Sequence, residues 1–186
     1  AYTMFDQGAD KYYISNYVYN EDIRYRLMVA PFTVRTIDND NDGNNGAFIA
    51  PMVLDSNRDL LYSDYSNGTT FRIRRYSNIK SGTIGRTNLT DPLLTAPPTA
   101  FAVSSYTTTS TTLLVGTRLG RLLRLTTADV TPVWADISGP SFVGSISDVE
   151  YGASNNEIFV TWKLNISPCE PAKTELNNVK CRRWKF

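Results

Sequence analysis

The chain has 186 residues, 41% of them hydrophobic, which is enough for one domain with a sizeable core. Its 19 basic and 18 acidic residues nearly balance, so the composition carries no electrostatic footprint for nucleic acid. The absence of histidine excludes Ser-His-Asp and Cys-His catalysis and histidine-ligated metals. No apolar run is long enough to span a membrane, and the N-terminal residues lack the features of a signal peptide.

Aromatic residues (12%) and 21 threonines indicate a β-rich chain. Four short segments share a register and begin at Tyr12, Leu60, Leu113 and Glu157, which are 48, 53 and 44 residues apart. Turn residues and a second β-like run follow each of the first three segments. The predicted strands span residues 2–5, 12–17, 23–28, 32–37, 48–54, 60–65, 70–76, 83–87, 101–105, 113–118, 121–126, 133–137, 146–151 and 157–162.

Apolar and basic residues alternate within several of these runs. Such alternation is typical of a strand with one buried and one solvated face, and it predicts that Arg72, Arg74 and Arg124 face the solvent. Asp148 and Glu150 follow the same pattern beside the apolar Val149.

Four strands in each repeat of about 45–50 residues are typical of a β-propeller blade. The predicted fold is therefore all-β, with about four blades of four-stranded antiparallel sheet over residues 1–162. The repeats span about 2–37, 47–88, 100–138 and 144–162, and the last one is incomplete. A β-sandwich with recurring hairpins is the alternative.

Residues 163–186 differ in composition from the repeats. They hold six basic and two acidic residues and both cysteines, Cys169 and Cys181. Such a change marks a boundary. The tail is predicted to be either a terminal cap, with residues 179–186 as an edge strand, or a segment unrelated to the propeller. If the protein is secreted, the two cysteines are candidates for a disulfide.

The segment Thr127–Trp134 reads Thr-Ala-Asp-Val-Thr-Pro-Val-Trp. It resembles the Asp-box, or BNR repeat, in which a hydroxyl residue, an aspartate and a tryptophan recur; here these are Thr127, Asp129 and Trp134. The chain is thereby similar to sialidase-like and sortilin-like secreted propellers, including Bacteroidetes-type bacterial surface proteins. The resemblance implies a structural turn between the outer strands of a blade, a location outside the cell or on its surface, and a fragment of a larger propeller.

The run Asp38-Asn39-Asp40-Asn41-Asp42-Gly43 places oxygen ligands at alternate positions before a glycine. This spacing is typical of a calcium loop, so Asp38, Asp40 and Asp42 are candidate Ca²⁺ ligands. The twelfth position is Ile49 rather than Glu, which excludes an EF-hand. A solvated turn between blades is the competing interpretation, since Asn, Asp and Gly are also common turn residues.

Glycoside hydrolysis needs two carboxylates, and the candidates near strand ends are Asp64, Asp148 and Glu150. The resemblance to sialidases would additionally assign roles to Arg118, Arg121 and Tyr151. None of these residues lies in a recognisable catalytic motif.

Tyrosines cluster around the predicted hairpins, beside Asn and Asp. Rings that stack on a sugar and polar groups that bond its hydroxyls are typical of carbohydrate recognition. The candidate binding residues are Tyr17, Tyr19, Tyr65 and Tyr106. Packing within a blade is the alternative for each of them.

These observations favour a secreted or cell-surface module that binds polysaccharide or surface glycan without catalysis. A sialidase- or xyloglucanase-like glycoside hydrolase is the second hypothesis, and a purely structural repeat of a larger adhesin is the third. Nucleic acid is not an expected partner. Because exposed propeller faces would be large apolar patches, we expect a homo-oligomer or a longer parent chain.

Overall fold

The computed structural model describes residues 2–39, 45–139 and 144–163, together with the backbone of the strand Val179–Lys185. The described residues form four antiparallel sheets and no α-helix. None of their helices is long and apolar enough to cross a membrane.

Each sheet is a meander, in which strands adjacent in sequence are also neighbours in space. The first sheet contains β1 (Thr3–Phe5), β2 (Tyr12–Ser15), β3 (Ile23–Leu27) and β4 (Val34–Asp38), and a short 3₁₀ turn at Val18–Asn20 lies between β2 and β3. The second contains β5 (Met52–Asp55), β6 (Leu60–Asp64), β7 (Ile73–Ser77) and β8 (Gly85–Leu89).

The third sheet contains β9 (Pro98–Val103), β10 (Leu113–Thr117), β11 (Leu122–Thr126) and β12 (Val133–Asp136). The fourth contains β13 (Ser145–Tyr151), β14 (Glu157–Lys163) and β15 (Val179–Lys185). β15 pairs antiparallel with β14 along seven residues of backbone, from Glu157 opposite Lys185 to Lys163 opposite Val179. The all-β prediction is thus confirmed, and each predicted strand overlaps an observed one.

The sheets pack face to face in chain order, and one apolar cluster lies between each successive pair. Tyr12 and Ile14 of the first sheet meet Leu61 and Tyr76 of the second. Both faces of the second and third sheets are covered, which explains why every residue of β6 and β10 is buried. The first strands of the sheets are in contact from β1 to β5, from β5 to β9 and from β9 to β13.

Antiparallel strands alternate in direction, so the connections fall at two opposite ends of the stack. The β2–β3 connection and the β4–β5 connection meet at one end, where the Tyr19 N–H donates to the Phe48 carbonyl at 3.3 Å. We call this the Tyr17 end. The turns between the first and second strands and between the third and fourth strands of each sheet lie at the other end. There the Tyr106 hydroxyl donates to the Gly152 carbonyl at 2.5 Å. We call this the Tyr106 end.

Candidate functional site

Four neighbouring aromatic and apolar residues are displayed at the Tyr17 end, and we call them the aromatic surface: Tyr17, Tyr19, Phe48 and Ile49. Tyr17 is 60% exposed, Phe48 58% and Ile49 53%. The rings of Tyr19 and Phe48 pack edge to face, with their centroids 5.4 Å apart. Side chains of this size are expensive to leave in water, so their grouping marks a candidate interaction site.

Two buried asparagines hold the loop that carries Tyr17 and Tyr19. Asn16, just before Tyr17, accepts from the Tyr2 N–H at 2.6 Å and donates to the Ala50 carbonyl at 3.3 Å. Asn20, which is fully buried, donates to the carbonyls of Asn45 and Asp64. Because each asparagine binds backbone on another element, the two tyrosines between them are held in place rather than free to collapse onto the core.

The backbone of the same loop adopts an unusual conformation. Tyr19, Asn20 and Asp22 have φ angles of 52°, 59° and 55°, in the left-handed region that non-glycine residues rarely occupy. Such conformations persist only where surrounding contacts impose them, and they concentrate at binding and catalytic sites. The contacts of Asn20 supply that constraint here.

Asp64 and Gly46 position the segment that carries Phe48 and Ile49. The Asp64 carboxylate is fully buried and accepts from the N–H groups of Ala47 at 2.9 Å and Ser66 at 3.0 Å. Burial raises the pKa of Asp64 above its ordinary value, and the hydrogen bonds from Ser66 and Ala47 partly offset that rise. Gly46 has a φ of +86°, and a Cβ there would lie 2.4 Å from the Asn20 side-chain nitrogen, so only glycine fits.

The other two predicted binding tyrosines do not join this surface. Tyr65 is only 6% exposed, and the guanidinium carbon of Arg74 lies 3.2 Å from its ring centroid. The ring face that a sugar would need is therefore covered. Tyr106 is 48% exposed but lies at the Tyr106 end of the stack. The structure thus brings together Tyr17 and Tyr19 out of the four.

The first residue of the predicted calcium loop, Asp38, has several partners in strands of the second sheet. Its Oδ2 accepts from the Tyr76 hydroxyl at 2.8 Å and lies 3.4 Å from Arg74, while its Oδ1 lies 3.3 Å from Arg86. These contacts make Asp38 a link between the first and second sheets. They also correct the solvent-facing prediction for Arg74, whose side chain is only 15% exposed.

Asp40 and Asp42 lie outside the described residues, so the calcium prediction stays a prediction. In the part of the chain that the structure describes, no group of three or more Cys, Asp or Glu residues could hold a metal ion.

The carboxylate candidates for catalysis lie in two separate parts of the structure. Asp64 is enclosed at the Tyr17 end, whereas Asp148 and Glu150 are exposed on the face of β13 that points away from the third sheet. Arg118 and Arg121 lie in the β10–β11 connection at the Tyr17 end, and Tyr151 ends β13 at the opposite end. No catalytic constellation is formed by these six residues.

The segment that resembles an Asp-box lies between β11 and β12. Thr127 has a φ of 51°, and its hydroxyl donates to the Thr131 carbonyl at 2.7 Å. Asp129 accepts from the Thr111 N–H at 3.0 Å, and Trp134 packs against the cluster between the second and third sheets. All three side chains are thus in structural contacts. Of the two cysteines, Cys169 lies outside the described residues, and only the backbone of Cys181 is described, within β15.

The chain matches no family model, no curated protein and no solved structure. Its candidate site therefore rests on its own geometry. Sequence analysis missed Phe48 and Ile49, because it assigned them to a strand that in fact begins at Met52. Pro51 is the signal that could have placed them in a loop, since proline cannot donate a hydrogen bond within a sheet.

Proposed function

We propose that the four sheets are blades of a β-propeller that binds glycans through the aromatic surface. The observation that carries the proposal is the exposure of Tyr17 and Phe48 on a loop pair fixed by the buried Asn16, Asn20 and Asp64. The C–H groups of a pyranose ring form an apolar face that stacks on an aromatic side chain. A surface that is already ordered loses little conformational entropy when the sugar binds.

The propeller part of the proposal is supported by the packing of the sheets. Each of the first three is a four-stranded meander, and the first strands contact one another in succession from β1 to β13. This is the order in which the inner strands of adjacent blades surround an axis. A β-sandwich has two packed sheets, and this chain has four.

The polar surroundings of the aromatic surface suit a hydroxyl-rich ligand. Glu21 borders the Tyr17 loop, and its carbonyl accepts from the Tyr17 N–H at 3.0 Å. The half-buried Arg72 lies at the same end of the stack, where it donates to the Tyr65 carbonyl and to Oδ1 of the buried Asn45. Carboxylate and guanidinium groups near aromatic rings provide hydrogen bonds that fix a sugar's orientation.

Glycoside hydrolysis remains the second candidate function. It is supported by Asp148 and Glu150, two exposed carboxylates two residues apart on one face of β13. It would require a substrate to lie across the outer face of the fourth sheet, away from the aromatic surface. The two hypotheses therefore predict different contact residues.

A glycan array combined with an assay for released reducing sugar tests the proposal. Binding to polysaccharide or surface glycans without release of reducing ends is the expected result. Turnover that Asp148→Asn or Glu150→Gln abolishes would replace the binding proposal with the hydrolase. An absence of binding to every glycan class on the array would contradict both.

A further inference from the structure

A concave site lies at the Tyr106 end, where the turns between the first and second strands of three sheets converge. It is a cleft of about 160 Å³, and we call it the turn cleft. Its lining comes from turns of all three sheets and includes Gln7, Leu54, Ser56, Asn57, Val103 and Ser105. Leu54 and Val103 are partly buried apolar residues, whereas Gln7, Asn57 and Ser105 are exposed polar ones.

Contacts between the turns fix the shape of the cleft. The Gln7 N–H donates to the Ser56 hydroxyl at 3.0 Å and so joins the first sheet to the second. Ser104 is fully buried, and its Oγ accepts from the Tyr106 N–H at 3.0 Å. The cleft therefore exists before any ligand arrives.

The one acidic residue in the lining, Asp55, is committed to the protein. It is 1% exposed, and its Oδ1 accepts from the N–H groups of Asn57 at 3.0 Å and Arg58 at 3.3 Å. Its Oδ2 accepts from the Thr111 hydroxyl at 2.5 Å. The polar groups left to meet a ligand are amides and hydroxyls, which match a neutral molecule with many hydroxyl groups.

We propose that the turn cleft binds one neutral sugar unit, as a second site that is separate from the aromatic surface. Amides and hydroxyls from three turns would bond the ligand hydroxyls, while Leu54 and Val103 would contact its C–H groups. Tyr106, 48% exposed, stands beside the cleft with its hydroxyl bound to Gly152. With the two sites at opposite ends, one molecule can join two glycan chains, which gives avidity on a polysaccharide surface.

Amide NMR spectra of the full chain, titrated with methyl glucoside and methyl galactoside, test this site. The expected result is a shift of the Gln7, Ser56, Asn57 and Ser105 amides, with a Kd of about 1–10 mM, typical of a weak single-unit contact. The shifts should persist in Tyr17→Ala, because that residue lies at the other end. If the aromatic surface bound no glycan, these amide shifts at the turn cleft would still be expected, so the two proposals can fail separately.

Two variants of one turn provide the matched comparison. Ser105→Trp places a large ring in the cleft and should raise the Kd about tenfold or more, whereas Thr108→Trp, at an exposed position of the same loop outside the lining, should leave it unchanged. Asn57→Ala provides a second, milder test should Ser105→Trp fail to fold. Shifts absent from the wild type, confined to the Tyr17 end, or equal in all variants would overturn the proposal.

Discussion

The Arg58 guanidinium of the second sheet lies 2.8 Å from the Asp129 carboxylate of the third and joins the two sheets at the Tyr106 end. Lys80, in the connection between the third and fourth strands of the second sheet, occupies the place that Asp129 has in the third sheet. Its Nζ lies 2.6 Å from Asp10 of the first sheet. The turns that carry Lys80 and Asp129 each have a residue with a left-handed backbone conformation two positions earlier, Asn78 and Thr127 respectively. The same inter-sheet bridge thus occurs twice, with its charges reversed.

We expect Asp129→Ala to lower the free energy of unfolding by about 1–3 kcal/mol, because it leaves the Thr111 N–H without its acceptor. The Asp129 side chain is only 4% exposed. Arg58→Ala should cost less, since the Arg58 side chain is 35% exposed and solvent screens its charge. Urea denaturation measures both. Equal losses for the two variants would mean that the ion pair, rather than the buried hydrogen bond, dominates.

Asp38→Asn should destabilise the fold whether or not calcium is present. The substitution weakens the acceptor that Tyr76, Arg74 and Arg86 share, and the expected loss is about 1–3 kcal/mol. Asp40→Asn is the matched comparison, since a calcium site would make its effect appear only with the ion bound. Thermal melts with calcium and with a chelator distinguish the two. A loss in Asp38→Asn that appears only with calcium would contradict the structural role.

Alkaline pH should unfold the protein cooperatively. Burial raises the pKa of Tyr151 to about 12, and burial also raises the pKa values of Tyr12, Tyr62 and Tyr76 above their ordinary value of 10.0. The unfolded chain then releases protons that the folded chain retains, so stability is intact below about pH 10 and falls as the pH rises towards the folded-state values.

Above about pH 10, the free energy of unfolding falls by about 1.4 kcal/mol per pH unit for each proton that the folded chain retains and the unfolded chain releases. Phenolate absorbance followed together with circular dichroism provides the measurement. We expect the three buried tyrosines and the half-buried Tyr151 to ionise together with the loss of structure. Their gradual ionisation within a folded protein would contradict the burial that the structure gives them.

Gly116→Ala should be among the costly substitutions in the core. A Cβ at Gly116 would lie 2.4 Å from Ile146 Cγ2, where the third and fourth sheets meet, and the expected cost is about 1–3 kcal/mol. Gly8→Ala is the control, because its Cβ would meet only the Asp6 carboxyl group at 3.3 Å. Denaturation midpoints that fall equally in the two variants would contradict this close packing of the sheets.

The strands could be predicted from local patterns, since apolar periodicity and turn residues are encoded within a few positions of each other. The run at Leu60, for example, is predicted to span residues 60–65 and is observed as Leu60–Asp64. The third strand of the fourth sheet lies outside the repeat pattern, so an edge strand at residues 179–186 was only one of two alternatives for the tail. The structure has a strand at Val179–Lys185 paired with β14, which agrees with that alternative.

The site was less predictable, because it depends on contacts between distant segments. Alternation indicates which face of a strand a residue occupies. It does not reveal that Asp38 forms an ion pair with Arg74 or that the Arg74 guanidinium lies over the Tyr65 ring. Likewise, Asn20 reads as a turn residue, and its role in fixing the aromatic surface depends on Asp64, 44 positions later.

Affinity gel electrophoresis on xyloglucan, xylan and mucin measures whether the aromatic surface binds glycans. We expect at least one of these glycans to retard the wild-type protein, and Tyr17→Ala and Phe48→Ala to weaken that binding about tenfold, since each removes a stacking ring. Phe159→Ala is the control, because Phe159 is 37% exposed on the fourth sheet, outside the aromatic surface. Retardation that survives in Tyr17→Ala and Phe48→Ala but disappears in Phe159→Ala would contradict glycan binding by the aromatic surface.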